Sequence, residues 1–346
     1  MPQHAEILRL LSESDRLASL DPAAALAYAE EAWILFCACK LSDVELLARL
    51  TLSYSRLLFS FGRIDESLSL LFQALTQSEI SGQNLVMESL LQEIALIYYS
   101  LGDYPQAAEY WSDCLKQASF SEIAKINAHI GMGMIQFAHG EIELSLAQHQ
   151  QAIALLNQQM PPLLHARAWI NLASAFFKLN QWHESQHALV MAYPYAQQAC
   201  APELTGEIYI YMAKIALETN NLDAARLRLA QAKASCKEWC WGDVVQLLLQ
   251  GRIFLVCGQM DEAISCFKNA KELAAEMGFA SQVMDAHQLL SMAYQRIGNK
   301  TLAEYEYGCY QTACIRLKAP AFVHHSDVKP HAHGKPLADR VMLHCA

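Results

Sequence analysis

Apolar residues along this chain recur at three- and four-residue spacing in helix-length stretches, each pair of stretches broken by one small turn residue. The stretch from Ile94 to Leu115, IALIYYSLGDYPQAAEYWSDCL, shows the grammar: one helix, a Gly turn, and the opening of a second helix. The same pattern returns around Gly62, Gly102, Gly140, Asn180, Asn220, Gly258 and Gly298, at steps of 40, 38, 40, 40, 38 and 40 residues. A fixed period of this size predicts stacked helix pairs.

Aligning the units on the turn residue exposes their packing columns. Seven positions before it stand Ser55, Ala95, Gly133, Ala173, Ala213, Gly251 and Ser291, and five after it Ser67, Ala107, Ser145, Ser185, Ala225, Ala263 and Ala303. All are small, which lets antiparallel helices approach closely. Twelve after the turn Ala74, Cys114, Ala152, Ala192, Ala232 and Ala270 continue the theme until Tyr310 breaks it. Larger side chains fill the space between: four before the turn Leu58, Tyr98, Gln136, Phe176, Ala216, Phe254 and Tyr294, nine after it Leu71, Trp111, His149, Leu189, Leu229, Phe267 and Tyr307. The two hydrophilic exceptions, Gln136 and His149, share a unit and are expected to pair with each other or face water.

Small, large and small residues at these offsets around a Gly or Asn turn resemble the tetratricopeptide repeat, most fully in the units carrying Trp169, Leu172, Ala173, Phe176, Ser185 and Ala192, and Tyr98, Gly102, Ala107 and Trp111. Units near 40 residues are similar to those of kinesin light chains, bacterial peptide-sensing regulators and the sensor arms of bacterial transcription activators and diguanylate cyclases. The resemblance implies an all-α, right-handed superhelical solenoid of seven to eight antiparallel helix pairs that binds peptides, protein termini or small ligands.

Three regions follow. Residues 1–40 are expected to be a shortened first pair, either a cap or a degenerate eighth repeat, with Asp21-Pro22 starting a helix and Ala25, Leu26, Ala29 and Ala32 marking its packed stripe. Residues 41–317 form the repeat solenoid. Residues 318–346 hold Pro330, Pro336 and five histidines without a helical stripe, and read as a flexible tail.

Composition narrows function by exclusion. With 53% hydrophobic and 17% charged residues the chain has ample material to bury. A net charge of −10 disfavours direct nucleic-acid or anionic-membrane binding. No membrane-length apolar run or secretory leader is evident, so a cytoplasmic chain with reduced thiols is expected despite eleven cysteines.

Catalytic motifs are thin. His183-Glu184-Ser185-Gln186-His187 matches H-E-x-x-H, the pattern that sets two zinc ligands one helical turn apart beside a general base. Ser185 belongs to the packing column and no third ligand is signalled, so the histidines are read as surface residues. Gly131-Met132-Gly133 imitates a dinucleotide fingerprint without a preceding strand and is read as packing. His324, His325, His331, His333, His344 and Cys345 are read as a solvated tail. No catalysis, metal or cofactor is expected.

The resemblance supplies the binding candidates, since the first helix of each pair lines the concave face in such solenoids. Three before the turn runs an apolar ladder that includes Phe59, Tyr99, Phe137 and Phe177; six before it lie Arg56, Lys214 and Arg252; thirteen before it lie Arg49, Asn127 and Arg167. Asn171, nine before its turn, resembles the Asn with which related repeats clamp a peptide backbone. Cations and aromatics on one face of an acidic chain point to an extended peptide or an acidic protein segment, Arg meeting carboxylates and rings holding apolar side chains. A second reading, from the similarity of Asp21-Pro22, Ala25-Leu26 and Glu30-Glu31-Ala32 to the opening of sensor arms, is a regulatory sensor acting through an output domain on another chain.

Overall fold

The computed structural model describes residues 2–18, 20–39, 43–236 and 239–318, and the expected tail lies outside them. Among the described residues there are sixteen α-helices and no strand. The chain divides into two compact units, with the boundary between Ala128 and His129.

The first unit holds α1 (Pro2–Leu17), α2 (Pro22–Ala38), α3 (Val44–Ser60), α4 (Ile64–Ser81), α5 (Asn84–Ser100), α6 (Tyr104–Lys116) and the start of α7 (Glu122–Ala138). Each odd helix packs antiparallel on the next even one. Asp21 accepts a hydrogen bond from the Ala24 amide and Pro22 supplies the pre-set first turn, so α2 starts where the sequence places it. At 16 and 17 residues α1 and α2 are full-length helices, not the shortened pair expected. Their contribution is a core of Ile7, Leu10, Leu11, Ala32 and Phe36 packed with Leu46 and Leu50 of α3, burial that outweighs the weak propensities of a terminal pair.

The second unit continues α7 and adds α8 (Ile142–Ala154), α9 (Pro162–Lys178), α10 (Trp182–Gln198), α11 (Pro202–Glu218), α12 (Leu222–Ser235), α13 (Cys240–Val256), α14 (Met260–Met277), α15 (Ala280–Arg296) and α16 (Lys300–Lys318). Here α11 touches both α9 and α13, so successive first helices lie side by side.

The seven turn residues all adopt the left-handed conformation, with φ from 58° at Asn180 and Asn220 to 80° at Gly140. Only Gly, and next best Asn, enters that region at little cost. The turn ends the first helix by a reversed bond: Arg63 N–H donates to Leu58 O at 2.8 Å, and Asp103, Gln181 and Asn221 repeat this toward Tyr98, Phe176 and Ala216.

The small columns work as close contacts within each pair. Ser67 Oγ donates to Ser55 O and Ser185 Oγ to Ala173 O, both at 2.8 Å, joining the position five after the turn to the one seven before. The large residue nine after the turn presses on the same spot. A methyl group on Gly133 would lie 2.4 Å from the His149 ring, and one on Gly251 equally close to Phe267. Gly133 is therefore a packing residue, and nothing of its surroundings resembles a nucleotide loop.

Gln136 and His149 do not pair, and of the two only Gln136, half-buried, reaches water. His149 is 1% exposed against Gly133, and neither its Nδ1 nor Gln136 Oε1 has a hydrogen-bond partner. Burial pushes the imidazole down to about 3, so it stays neutral, filling the position that Leu or an aromatic holds in other units.

Candidate functional site

Residues thirteen, nine, six and two before a turn fall along one face of each first helix. In the first unit this face is largely self-satisfied. Arg56 donates from Nη2 and Nε to Glu93 Oε2 at 2.7 and 2.9 Å, and Glu93 is almost fully buried. Ser53 Oγ donates to Asp15 at 2.5 Å. Arg49 is exposed and Phe59 and Asn127 are half-buried. Tyr99 is not a face residue: it is 8% exposed, its ring 5.4 Å from Tyr104 and 6.0 Å from Trp111, and it belongs to the core.

In the second unit the face is built differently. Phe137, half-buried on α7, has the Lys178 ammonium 5.7 Å from its ring centroid. Phe177 packs edge-on to Tyr211 at 5.9 Å and against Trp182 at 5.0 Å. The Lys214 ammonium stands 4.4 Å from the centre of Tyr211 and 6.0 Å from that of Phe177. These distances are cation–π contacts. Among the described residues Arg167, Lys178 and Lys214 make no ion pair. Burial and then the neighbouring Lys178 charge bring Lys214 down to about 8. Asp285 on α15 acts on both lysines but pairs with neither, so two neighbouring cations stay without a direct counter-ion, which favours an anionic guest.

Arg252 is engaged: its Nη2 donates to Glu218 Oε1 at 2.7 Å. Asn171 is not available as a backbone clamp, because its side chain is 2% exposed and its Nδ2 donates to Arg167 O on its own helix. The apolar ladder splits in the same way, Leu217 and Leu255 being buried while Phe137 and Phe177 stay half-open.

Lys178, two before the turn residue Asn180, carries no sequence signal of its own, and its place over the Phe137 ring comes from the neighbouring helix. Tyr211, nine before its turn like Asn171, takes its place on this face as the ring beneath Lys214. His183 and His187 are exposed on α10, and among the described residues no group of three His, Cys, Asp or Glu side chains converges to hold a metal. No helix among the described residues is long and apolar enough to cross a membrane.

No protein-family model and no curated protein matches the chain. Solved structures do match. A tetratricopeptide repeat protein from Parabacteroides merdae superposes with a TM-score of 0.52 at 15% identity, covering 84% of this chain and 99% of that one. The fold is the tetratricopeptide type. The same solenoid superposes on the apo quorum sensor NprR from B. thuringiensis with a TM-score of 0.64 at 14% identity, covering 89% of this chain and 87% of that one. A Rap protein complexed with Competence and Sporulation Factor gives 0.59 at 13%, covering 90% and 98%. Another match, at 12% identity and a TM-score of 0.58, bears the name aspartyl phosphate phosphatase F, from Bacillus subtilis, and covers 82% of this chain and 75% of that one.

Proposed function

We propose that the chain is a non-catalytic scaffold of the cytoplasm that binds an extended peptide or protein segment on the first-helix face of its second unit. One observation carries this reading: Lys178 and Lys214 stand unpaired over the rings of Phe137, Phe177 and Tyr211. A carboxylate on the guest meets the ammonium groups while a neighbouring apolar side chain lies on the rings. Arg167, half-buried on α9, extends the cationic stripe, and Arg252 joins it by exchanging Glu218 for the guest. The tetratricopeptide-type neighbours support a binding role, one being a complex with Competence and Sporulation Factor and one a quorum sensor.

The test is capture of partners from the native cell by the wild-type chain and by Lys178→Glu/Lys214→Glu, with circular dichroism as the folding control. The same partners on both chains would remove the assignment. The absence of catalysis is tested separately, by incubating the purified chain with a phosphoaspartyl protein and following loss of the phosphoryl group, since one neighbour carries a phosphatase name.

A second reading is a sensor whose output lies on another polypeptide. It is supported by the quorum-sensor neighbour and by the regular start of α2 at Asp21-Pro22. Co-purification of a DNA-binding or cyclase chain would favour it, and a monomer that recruits none would count against it.

A further inference from the structure

Beneath the Lys178–Lys214 face lies a carboxyl group that the binding reading leaves unused. Glu207 sits on α11 two turns before Lys214, is 1% exposed, and its Oε1 has no hydrogen-bond partner. The charges that act on it are Lys214 on its own helix and Arg167 on α9, yet neither pairs with it. In a poorly solvated site an ionised carboxylate this near two cations would draw one of them into a salt bridge. The unpaired geometry is the one a neutral Glu207 leaves behind.

We infer that Arg167 and Lys214 together receive a carboxylate of the bound peptide, and that Glu207 is an internal competitor governing how free those two cations are. This rests on the proposed peptide-binding face and adds its regulation. Glu207 is a positioning residue, since its free oxygen is closed to solvent and cannot touch the guest in this arrangement.

Burial carries Glu207 up to about 8, so at neutral pH it holds its proton and leaves the cations to the guest. As pH rises through that range it ionises and pairs with Arg167, while Lys214 gives up its own proton, and the guest loses its anchor. Other groups also bear on the site. Lys178 on α9, Arg252 on α13 and Asp285 on α15 act on Lys214, which itself titrates near 8. From α10 and α12, Tyr193 and Arg228 reach Tyr209, on the far side of α11 from Glu207. A Lys214→Arg chain keeps its cation at every pH in question, so any pH response left in it is not that of residue 214.

The experiment titrates the full chain with sodium benzoate, a carboxylate on an aromatic ring, in low-salt buffer near pH 6.5 and near pH 9, with circular dichroism confirming each variant folded. Lys214→Arg is expected to bind about ten-fold more weakly at the higher pH, and Lys214→Arg/Glu207→Gln to change by less than about two-fold. Equal pH profiles for the two chains would overturn the role of Glu207 and leave the binding face standing. Benzoate binding undiminished in Lys214→Glu, or absent from the wild-type chain near pH 6.5, would overturn the carboxylate site itself. Inorganic phosphate binding as tightly as benzoate, with the same loss in Lys214→Glu, would replace the carboxylate assignment with a general anion site.

Discussion

Arg56 in the first unit and Lys214 in the second occupy the same place in the repeat, six residues before the turn, yet their surroundings differ. Arg56 closes on buried Glu93 and is spent inside the fold. Lys214 forms no ion pair and lies over the faces of Tyr211 and Phe177, with Asp285 and Glu207 acting on it without pairing. The contrast extends to whole regions. Residues 1–128 carry 17 acidic against 8 basic side chains, so cations there find carboxylates, while residues 129–346 carry 18 against 17. Position in a repeat therefore decides that a side chain reaches the face, and the acids of neighbouring helices decide whether it is free to bind.

The contrast is sharpest in binding. Lys178→Glu/Lys214→Glu should weaken partner capture by about 100-fold, since it removes two attractions and adds two repulsions on one face, Lys214 being the more desolvated of the two. Arg56→Glu should change capture by no more than about three-fold. Affinity measured by titration with a partner recovered from the native cell checks both, and an equal loss from the two variants would erase the distinction between the units.

Stability offers a second contrast, with opposite signs. Glu93 is a buried acid with a partner; Glu207 is a buried acid whose Oε1 has none. Glu93→Gln should destabilise the chain by about 2 kcal/mol at pH 7, below the roughly 3–5 kcal/mol of a fully buried pair because Arg56 remains largely exposed. For Glu207 the carboxyl titrates near 4.5 when unfolded and about 8 when folded, so between those values the native state keeps a proton that the unfolded chain has released. Stability contributed by this group is complete below about 4.5 and declines as pH rises toward 8. Glu207→Gln removes the decline and should stabilise the chain by up to about 4 kcal/mol near pH 8, with little change near pH 4. Thermal melts across this range test it; a mutant curve parallel to wild type would mean that Glu207 ionises normally in the fold.

Much of the scaffold is readable in the residues because its rules are local. A left-handed turn demands Gly or Asn, and a close helix pair demands small side chains at two offsets, so the seven turns and the packing columns stand out from the chain itself. The binding face is less legible because its state depends on partners distant in sequence. Nothing local distinguishes Arg56, whose partner is 37 residues away, from Lys214. Asn171 looks like a clamp residue until its amide is seen bonded within its own helix, and Tyr99 looks like a rung of the ladder until Tyr104 and Trp111 enclose it. His149 breaks its column chemically but not sterically, which only the absent Cβ of Gly133 explains.

If the difference between the units is confined to charge on the face, their frameworks must respond alike to the same insult. Gly102 and Gly258 have φ of 75° and 78°, with open space where a Cβ would stand, so alanine at either place meets backbone strain and no clash. Each substitution should cost about 1 kcal/mol, the strain of an L-residue in the left-handed region less the reduced freedom of the unfolded chain. Asparagine, which the chain itself uses at Asn180 and Asn220, should cost about half as much. Chemical denaturation of the four variants checks the pairing. A Gly258→Ala loss well above that of Gly102→Ala would mean that the second unit's turns carry a load beyond chain reversal, and that the units differ in framework as well as in charge.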